Sequence, residues 1–314
     1  MRKRRQAVRI KSEGPGVGAR ILGLLSAARR PCLFWVFPSA ALVGLCIGGL
    51  HLCRSYVSAS DRYAVLAPKV NLFNRSKPPP QWWEKAFEDE INKSCAFANG
   101  ASMLEPGLLE KIADGYRACP WVKDVRWVRK RFPSRVEASI IIRWPKAAVA
   151  VRTRRGLNFY LVGKDAVRLP KVYHKWPQPG LNVPAIVGTR MAPPAPGERW
   201  PEKSVTDAIA ILKLLENSKI VRSAVSVTGI DVSNYHGRVN RRRSEFLILA
   251  EGNCVIEWGR APDTGRLGEL PVKEKIAKLE RFLKKRDPTS NRRLGLRFAG
   301  PVVVRRFVTD GDSS

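Results

Sequence analysis

The chain has 314 residues, with 57 Lys/Arg against 27 Asp/Glu, a formal charge of +30 and a pI near 10.6. That excess excludes an ordinary near-neutral domain. It points to anionic surroundings: lipid heads, wall polymers or an acidic partner. Nucleic acid is the other common partner of such charge, but no zinc finger, basic zipper or RNP-type aromatic motif is present.

In chain order, a basic head comes first. Met1–Arg30 holds nine Lys/Arg and one acid, Glu13. An apolar run from Pro31 to Cys53 follows, bounded by Arg29–Arg30 and Arg54. As a helix it would rise roughly 34 Å, enough to cross a hydrocarbon core of about 30 Å. The positive head predicts a cytoplasmic N-terminus and an exported body. A cleaved signal peptide is the rival reading, with Val57-Ser58-Ala59 as its cleavage site. The long basic region and long apolar run favour an uncleaved anchor. Gly44 and Gly48 share one stripe of this helix, but glycine is common in such spans and no contact is read from it.

The body starts with a stalk over 54–64. Val65–Phe73 reads as a strand, and Pro78-Pro79-Pro80 breaks the chain. Trp82, Trp83, Ala86, Phe87, Glu90 and Ile91 follow at helical spacing. A second helix is expected from Glu105-Pro106, with Leu108, Leu109, Ile112, Ala113 and Tyr116 as its apolar face and Pro120 as its stop. Val125 and Trp127 are expected on one face of a strand, with a turn at Phe132-Pro133-Ser134. Val136, Ala138, Ile140, Ile142 and Trp144 then alternate with Glu137, Ser139, Ile141 and Arg143, a period of two. The order over 65–145 is strand, helix, helix, strand, strand.

Beyond Pro145, strands are expected at Ala147–Val151, Asn158–Val162 and Ala166–Leu169, then a Pro-rich surface loop from Pro177 to Pro196. Lys203–Leu215 reads as a helix. Val225–Val232, Glu245–Ala250 and Cys254–Trp258 read as strands, with a hairpin turn at Glu251-Gly252-Asn253. Val272–Leu283 reads as a basic amphipathic helix that packs Ile276, Leu279 and Leu283 and turns Lys273, Lys275, Lys278 and Lys284 to water. Leu294–Phe298 and Pro301–Arg305 close the chain as strands, and 306–314 reads as a disordered tail. The class is α+β.

Three cysteines lie in the body. Cys95 and Cys119 are the one plausible local pair, either bridged or simply two small buried residues. Trp121, between a helix stop and a strand, is expected to cement helix to sheet. The cluster of Arg238 and Arg241–Arg243 reads as a charged loop.

Cys119-Pro120-Trp121-Val122-Lys123-Asp124-Val125 followed by Arg129-Lys130-Arg131-Phe132-Pro133 resembles the "PWV…V…R.WP" core of the FtsQ/DivIB family of bacterial cell-division proteins. Phe159-Tyr160-Leu161-Val162, Val183–Gly188, Lys275–Phe282, Leu296-Arg297-Phe298 and Val302-Val303-Val304 are similar to later family segments, in family order. Departures are Arg143-Trp144-Pro145 where the family has Glu before Pro, and Gly163 and Ala166 where it has Asp and Gly. The resemblance implies a POTRA-like βααββ domain over 65–145 and a mixed β-sheet domain with flanking helices over 146–305. It implies a non-enzymatic, single-pass scaffold of the inner membrane. The body would be periplasmic or extracytoplasmic, at the division septum. Partners would be FtsB/DivIC-like and FtsL-like proteins, other divisome membrane proteins and membrane lipid, with no nucleic acid and no small-molecule substrate. By the same resemblance, the last strands offer an edge for strand addition through Arg297, Phe298, Val302, Val303 and Val304, and a basic hairpin at Arg126, Arg129 and Arg131 serves recruitment. An exposed strand edge is a physically apt docking surface.

Catalytic signatures are absent from the sequence. There is no His-Glu-x-x-His, Gly-x-Ser-x-Gly, Ser-x-x-Lys, Cys-x-x-Cys or glycine-rich phosphate loop, and His174 and His236 lie in loop-like sequence. No enzyme, metal or cofactor is expected. Two other readings stay open: a POTRA-bearing envelope protein for secretion or chaperoning, and a basic exported binder of anionic polymer.

Overall fold

A computed structural model describes residues 38–57, 60–66, 69–70, 80–264, 268–285 and 292–306. The chain divides after Tyr63 into two units. In the first, helix α1 (Pro38–Val57) has 20 residues and is long and apolar enough to cross a membrane. It does not stop at Cys53: Arg54 and Ser55 continue it, because a helix propagates until its hydrogen bonding is broken, and neither residue breaks it. The basic head, Cys32 and the start of the apolar run lie outside the described residues, as does the tail beyond Arg306.

The second unit is mixed α and β, with two sheets. The small sheet has the order β1-β3-β2, built from β1 (Lys69–Val70), β2 (Val122–Arg131) and β3 (Arg135–Ile142). β2 and β3 are antiparallel, and β1 lies parallel to β3. Only two residues of the expected Val65–Phe73 strand are seen as strand; Val65 instead bonds through its N–H to Ala101 O, and residues 71–73 lie outside the described residues. Helices α2 (Lys85–Lys93) and α3 (Leu108–Ala118) pack on this sheet. Trp82, Trp83 and Pro106 precede their helices rather than joining them. Gly107, at φ 76°, makes the left-handed entry to α3. Ala86, expected on the apolar face, is exposed.

The β2–β3 ladder slips between Val125 and Trp127, so Arg126 is an extra residue. A one-residue bulge reverses the alternation beyond it, so residues two apart across it fall on opposite faces. Val125 is therefore buried and Trp127 exposed, contrary to their expected shared face. Alternation along β3 buries Val136, Ala138 and Ile142. Trp144 falls past the end of that strand. Trp121 is fully buried, 4.4 Å from the Phe87 ring, and its indole N–H donates to Glu90. It joins α2 to the sheet, as its position between helix and strand predicts. Cys95 and Cys119 are free and buried, so the small sheet has no disulfide.

The large sheet has nine strands in the order β12-β11-β10-β9-β8-β7-β4-β5-β6. They are β4 (Pro145–Thr153), β5 (Gly156–Gly163), β6 (Arg168–Tyr173), β7 (Ala185–Val187), β8 (Val227–Asp231), β9 (Phe246–Ala250), β10 (Cys254–Gly259), β11 (Arg292–Gly295) and β12 (Val303–Arg306). Pro145 opens β4, two residues before the expected start at Ala147. The Pro-rich loop hides β7, which runs parallel to both β4 and β8 in mid-sheet. Ile186 in β7 is fully buried. Helices α4 (Lys203–Asn217), α5 (Lys219–Ala224) and α6 (Val272–Lys285) supply Val205, Ile209, Leu212, Val221 and Leu279 to one core with Val149, Ile186, Ile230, Ile248 and Ile256 of the sheet.

Arg143 connects the two sheets. It donates to Pro120 O at 2.5 Å and Val122 O at 3.0 Å, and pairs with Asp165 at 3.0 Å beyond β5. Gly163 lies against its side chain, where any Cβ would collide.

Candidate partner-docking edge

β12 is the last strand of the large sheet, paired antiparallel with β11 on one side only among the described residues. Val304 pairs with Leu294 and Val303 with Gly295. Val302 and Val304 pack toward the core beneath α6, while Val303 is 56% exposed on the opposite face. A concavity of about 600 Å³ opens on the α6 side, lined by Lys278, Arg281, Phe282, Pro301, Val302 and Val304. A smaller one of about 190 Å³ lies on the other face, beside Phe298 and Val303. The edge therefore has a recess on each face, each lined by both apolar and charged side chains.

The five residues expected at this edge do not behave alike. Val303 and Val304 lie on the edge strand, and Val302 immediately precedes it. Arg297 and Phe298 are not in a strand, because β11 ends at Gly295. Phe298 is 56% exposed and sits 4.9 Å from the Arg297 guanidinium. Arg297 is mostly buried. It donates to Arg242 O at 2.7 Å and lies 3.6 Å from Glu269, so it holds the turn rather than offering itself to a partner.

Glu269 is the hub beneath that turn. It accepts from Lys275 Nζ at 2.5 Å and from the Arg260 backbone N–H at 2.8 Å. The carboxylate presses on Gly259, whose φ of 98° and missing Cβ permit the approach. Lys275 and Lys278, expected in water, are both buried. Lys275 lies 5.2 Å from the Trp258 ring, and Lys278 donates to Phe298 O at 2.8 Å. Burial pushes both ammonium groups below the ordinary lysine range, and for Lys275 the Glu269 carboxylate opposes that shift. Lysine count along a basic helix conceals this. The available signal is spacing: Lys275 falls on the same stripe as Val272, Ile276 and Leu279.

The expected recruitment residues sit apart, on the β2–β3 hairpin of the small sheet. Arg126, Arg129 and Arg131 are all exposed. Arg129 and Arg131 share the Glu137 carboxylate at 2.8 and 3.2 Å, and Arg129 also covers Trp127 at 4.4 Å. The Arg129 hydrogen bond, with help from Arg131, holds Glu137 below the usual carboxylate range. Arg238, expected in a solvated loop, is instead a clamp. It pairs with Glu202 at 2.9 Å and donates to Val232 O at 2.6 Å and Gly188 O at 3.3 Å.

Among the described residues, no three His, Cys, Asp or Glu side chains gather into a metal-binding group. His174 contacts Asn158, and His236 lies against Tyr235. Compared with known proteins, the chain matches no family model and no curated protein.

Proposed function

We propose that this chain is a single-pass, FtsQ/DivIB-like cell-division scaffold that receives a strand of an FtsB- or DivIC-type partner on β12. The observation that carries the reading is the open strand edge flanked by two recesses. Its N–H and C=O groups supply main-chain affinity, and the recesses take alternate side chains of the incoming strand. Support also comes from the ordered series of family-like segments and from the βααββ order ahead of the large sheet, which fits a POTRA-like domain. In this reading α1 spans the inner membrane with the basic head in the cytoplasm. The body works outside it at the septum, alongside FtsL-type and other divisome membrane proteins, and the Arg126, Arg129 and Arg131 hairpin serves recruitment. The role is non-enzymatic.

A fluorescent fusion in dividing cells of the native host tests this. The expected result is a mid-cell band. Val303→Pro should keep the band and lose co-purification of the FtsB-type protein, because proline removes a β11–β12 ladder N–H and displaces the edge strand on which a partner would pair. A uniform envelope signal through division refutes the scaffold and moves the secretion or chaperoning reading forward.

A further inference from the structure

One end of the large sheet has an unusual charge distribution. β4, β7 and β8 run parallel, so the β4–β5 hairpin, the segment after β7 and the β8–β9 loop all leave the same end. Their strands are neighbours in the sheet. From β5 to β9 there are four inter-strand steps, about 19 Å in all.

Each of these segments displays arginine. The hairpin has Arg152, Arg154 and Arg155, the segment after β7 has Arg190, and the β8–β9 loop has Arg241, Arg242 and Arg243; all are exposed. None of these seven side chains has an ion-pair partner among the described residues. Across the three segments (152–157, 188–191 and 232–245) there is no lysine and one acid, Glu245, which is buried and paired with Arg260 at 3.3 Å. Glu202 and Asp207 nearby are also buried, spent on Arg238 and Tyr235. Asp231, which ends β8 at the same end, is half-buried and accepts from Ser233 N at 2.7 Å, so the acids here are taken up by the fold while the guanidinium groups face outward.

The surface is built rather than loose. Asn234 alone makes five hydrogen bonds across its loop. Its side-chain N–H groups reach Asn240 O, Arg243 O and Ser244 O at 2.9, 3.3 and 3.0 Å, and its carbonyl accepts from Val239 N and Asn240 N at 2.9 and 2.8 Å. Arg297 holds Arg242 O from below. Arg190 N and the Arg238 guanidinium bond to the same Glu202 carboxylate, tying two of the segments together. Each segment also exposes one apolar side chain: Leu157 at 45%, Met191 at 47% and Val239 at 65%.

We infer that this end of the sheet is a second docking surface, for an acidic segment of another protein that also carries apolar side chains. Guanidinium forks match carboxylates, and preorganised loops lower the ordering cost of binding. Arginine and methionine are enriched at protein interfaces. The three apolar side chains favour a protein over a bare polyanion, which has nothing to place on them. A second copy of so basic a chain would be repelled. The surface lies on different strands from β12, although Arg297 bonds one of its loops from the turn beside that edge, and a test with an acidic peptide does not involve β12.

The test uses the full-length protein in phosphatidylcholine nanodiscs, titrated at near-physiological salt with a fluorescent peptide of alternating Glu and Leu. The variant Arg154→Gln/Arg155→Gln/Arg242→Gln/Arg243→Gln should bind about thirtyfold more weakly, at about 0.5 kcal/mol for each exposed charge. The charge-matched control Lys85→Gln/Lys123→Gln/Lys213→Gln/Lys219→Gln should stay within about twofold of wild type, because distant charges are screened. A Glu/Ser peptide should bind more weakly than Glu/Leu. Equal weakening by both variants would reduce the effect to net charge and overturn the inference. Equal binding of the Glu/Ser peptide would overturn it in favour of a bare polyanion. Displacement of the peptide from this face by phosphatidylglycerol vesicles would overturn it in favour of lipid.

Discussion

The two edges of the large sheet are finished in opposite ways. At the β6 edge the backbone is covered. Arg168 N donates to Glu198 O at 2.9 Å, Gly197 N to Arg168 O at 2.8 Å, and Val167 bridges to Arg199. Lys171 then pairs with Glu84 and faces the Phe87 ring at 5.4 Å, so α2 of the small sheet joins the cover. At the β12 edge no such cover exists among the described residues, and Val303 stands exposed between two recesses. An uncovered edge invites unwanted pairing, and proteins generally blunt it. Within the large sheet, the chain's own loop and helix close one edge and leave, among the described residues, the β12 edge open.

Breaking the closed edge should give the largest effects. Trp121→Ala removes the aromatic joint between α2 and the small sheet, at a cost of about 3–5 kcal/mol. Hydrogen exchange should rise across α2, β2 and β3 and then at β6, while β11–β12 keeps its protection. The same module should loosen in alkali. Burial raises the Cys95 thiol from 9.0 to about 11. The folded form keeps its proton while the unfolded form loses it, so this stability is whole below pH 9 and is lost as pH rises to about 11. Two units correspond to about 3 kcal/mol. Urea midpoints measured across that interval should fall steeply for wild type and less for Cys95→Ala. A Cys95–Cys119 bridge, had it formed, would have removed that titration.

Arg143→Ala takes three acceptors' donor away at the junction of the sheets, for about 2 kcal/mol. Exchange should rise around 120–122 and 163–167, and an unchanged pattern would mean that the sheets are joined without it. The open edge is sharpened by a smaller change. Lys278→Met leaves Phe298 O without its donor, for about 1 kcal/mol. Exchange should increase over 292–306 with β6 unaffected, and partner affinity at β12 should drop with it.

Legibility in the sequence followed the range of the forces involved. β3 was readable because its alternation is local and nothing interrupts it. α4 was readable because fifteen residues keep one apolar stripe, although it runs two residues past the expected Leu215. β7 was not, since three residues between prolines carry no period, and the strand exists because β4 and β8 pair with it from both sides. Trp127 lies on the face opposite to the one its spacing implies, because a bulge depends on the partner strand. At the β12 edge, Val303 and Val304 were legible as strand residues. Arg297 was not legible as a buried anchor, because Glu269 reaches it only through the folded turn.

By itself, the sequence determined the apolar span, the basic excess, the α+β class and most element positions, since composition, prolines and short periods act over a few residues. Only the tertiary structure decided which edge is covered, which lysines are buried and which arginines share one end of the sheet. Those outcomes depend on strand order, and strand order is set by contacts between residues far apart in the chain.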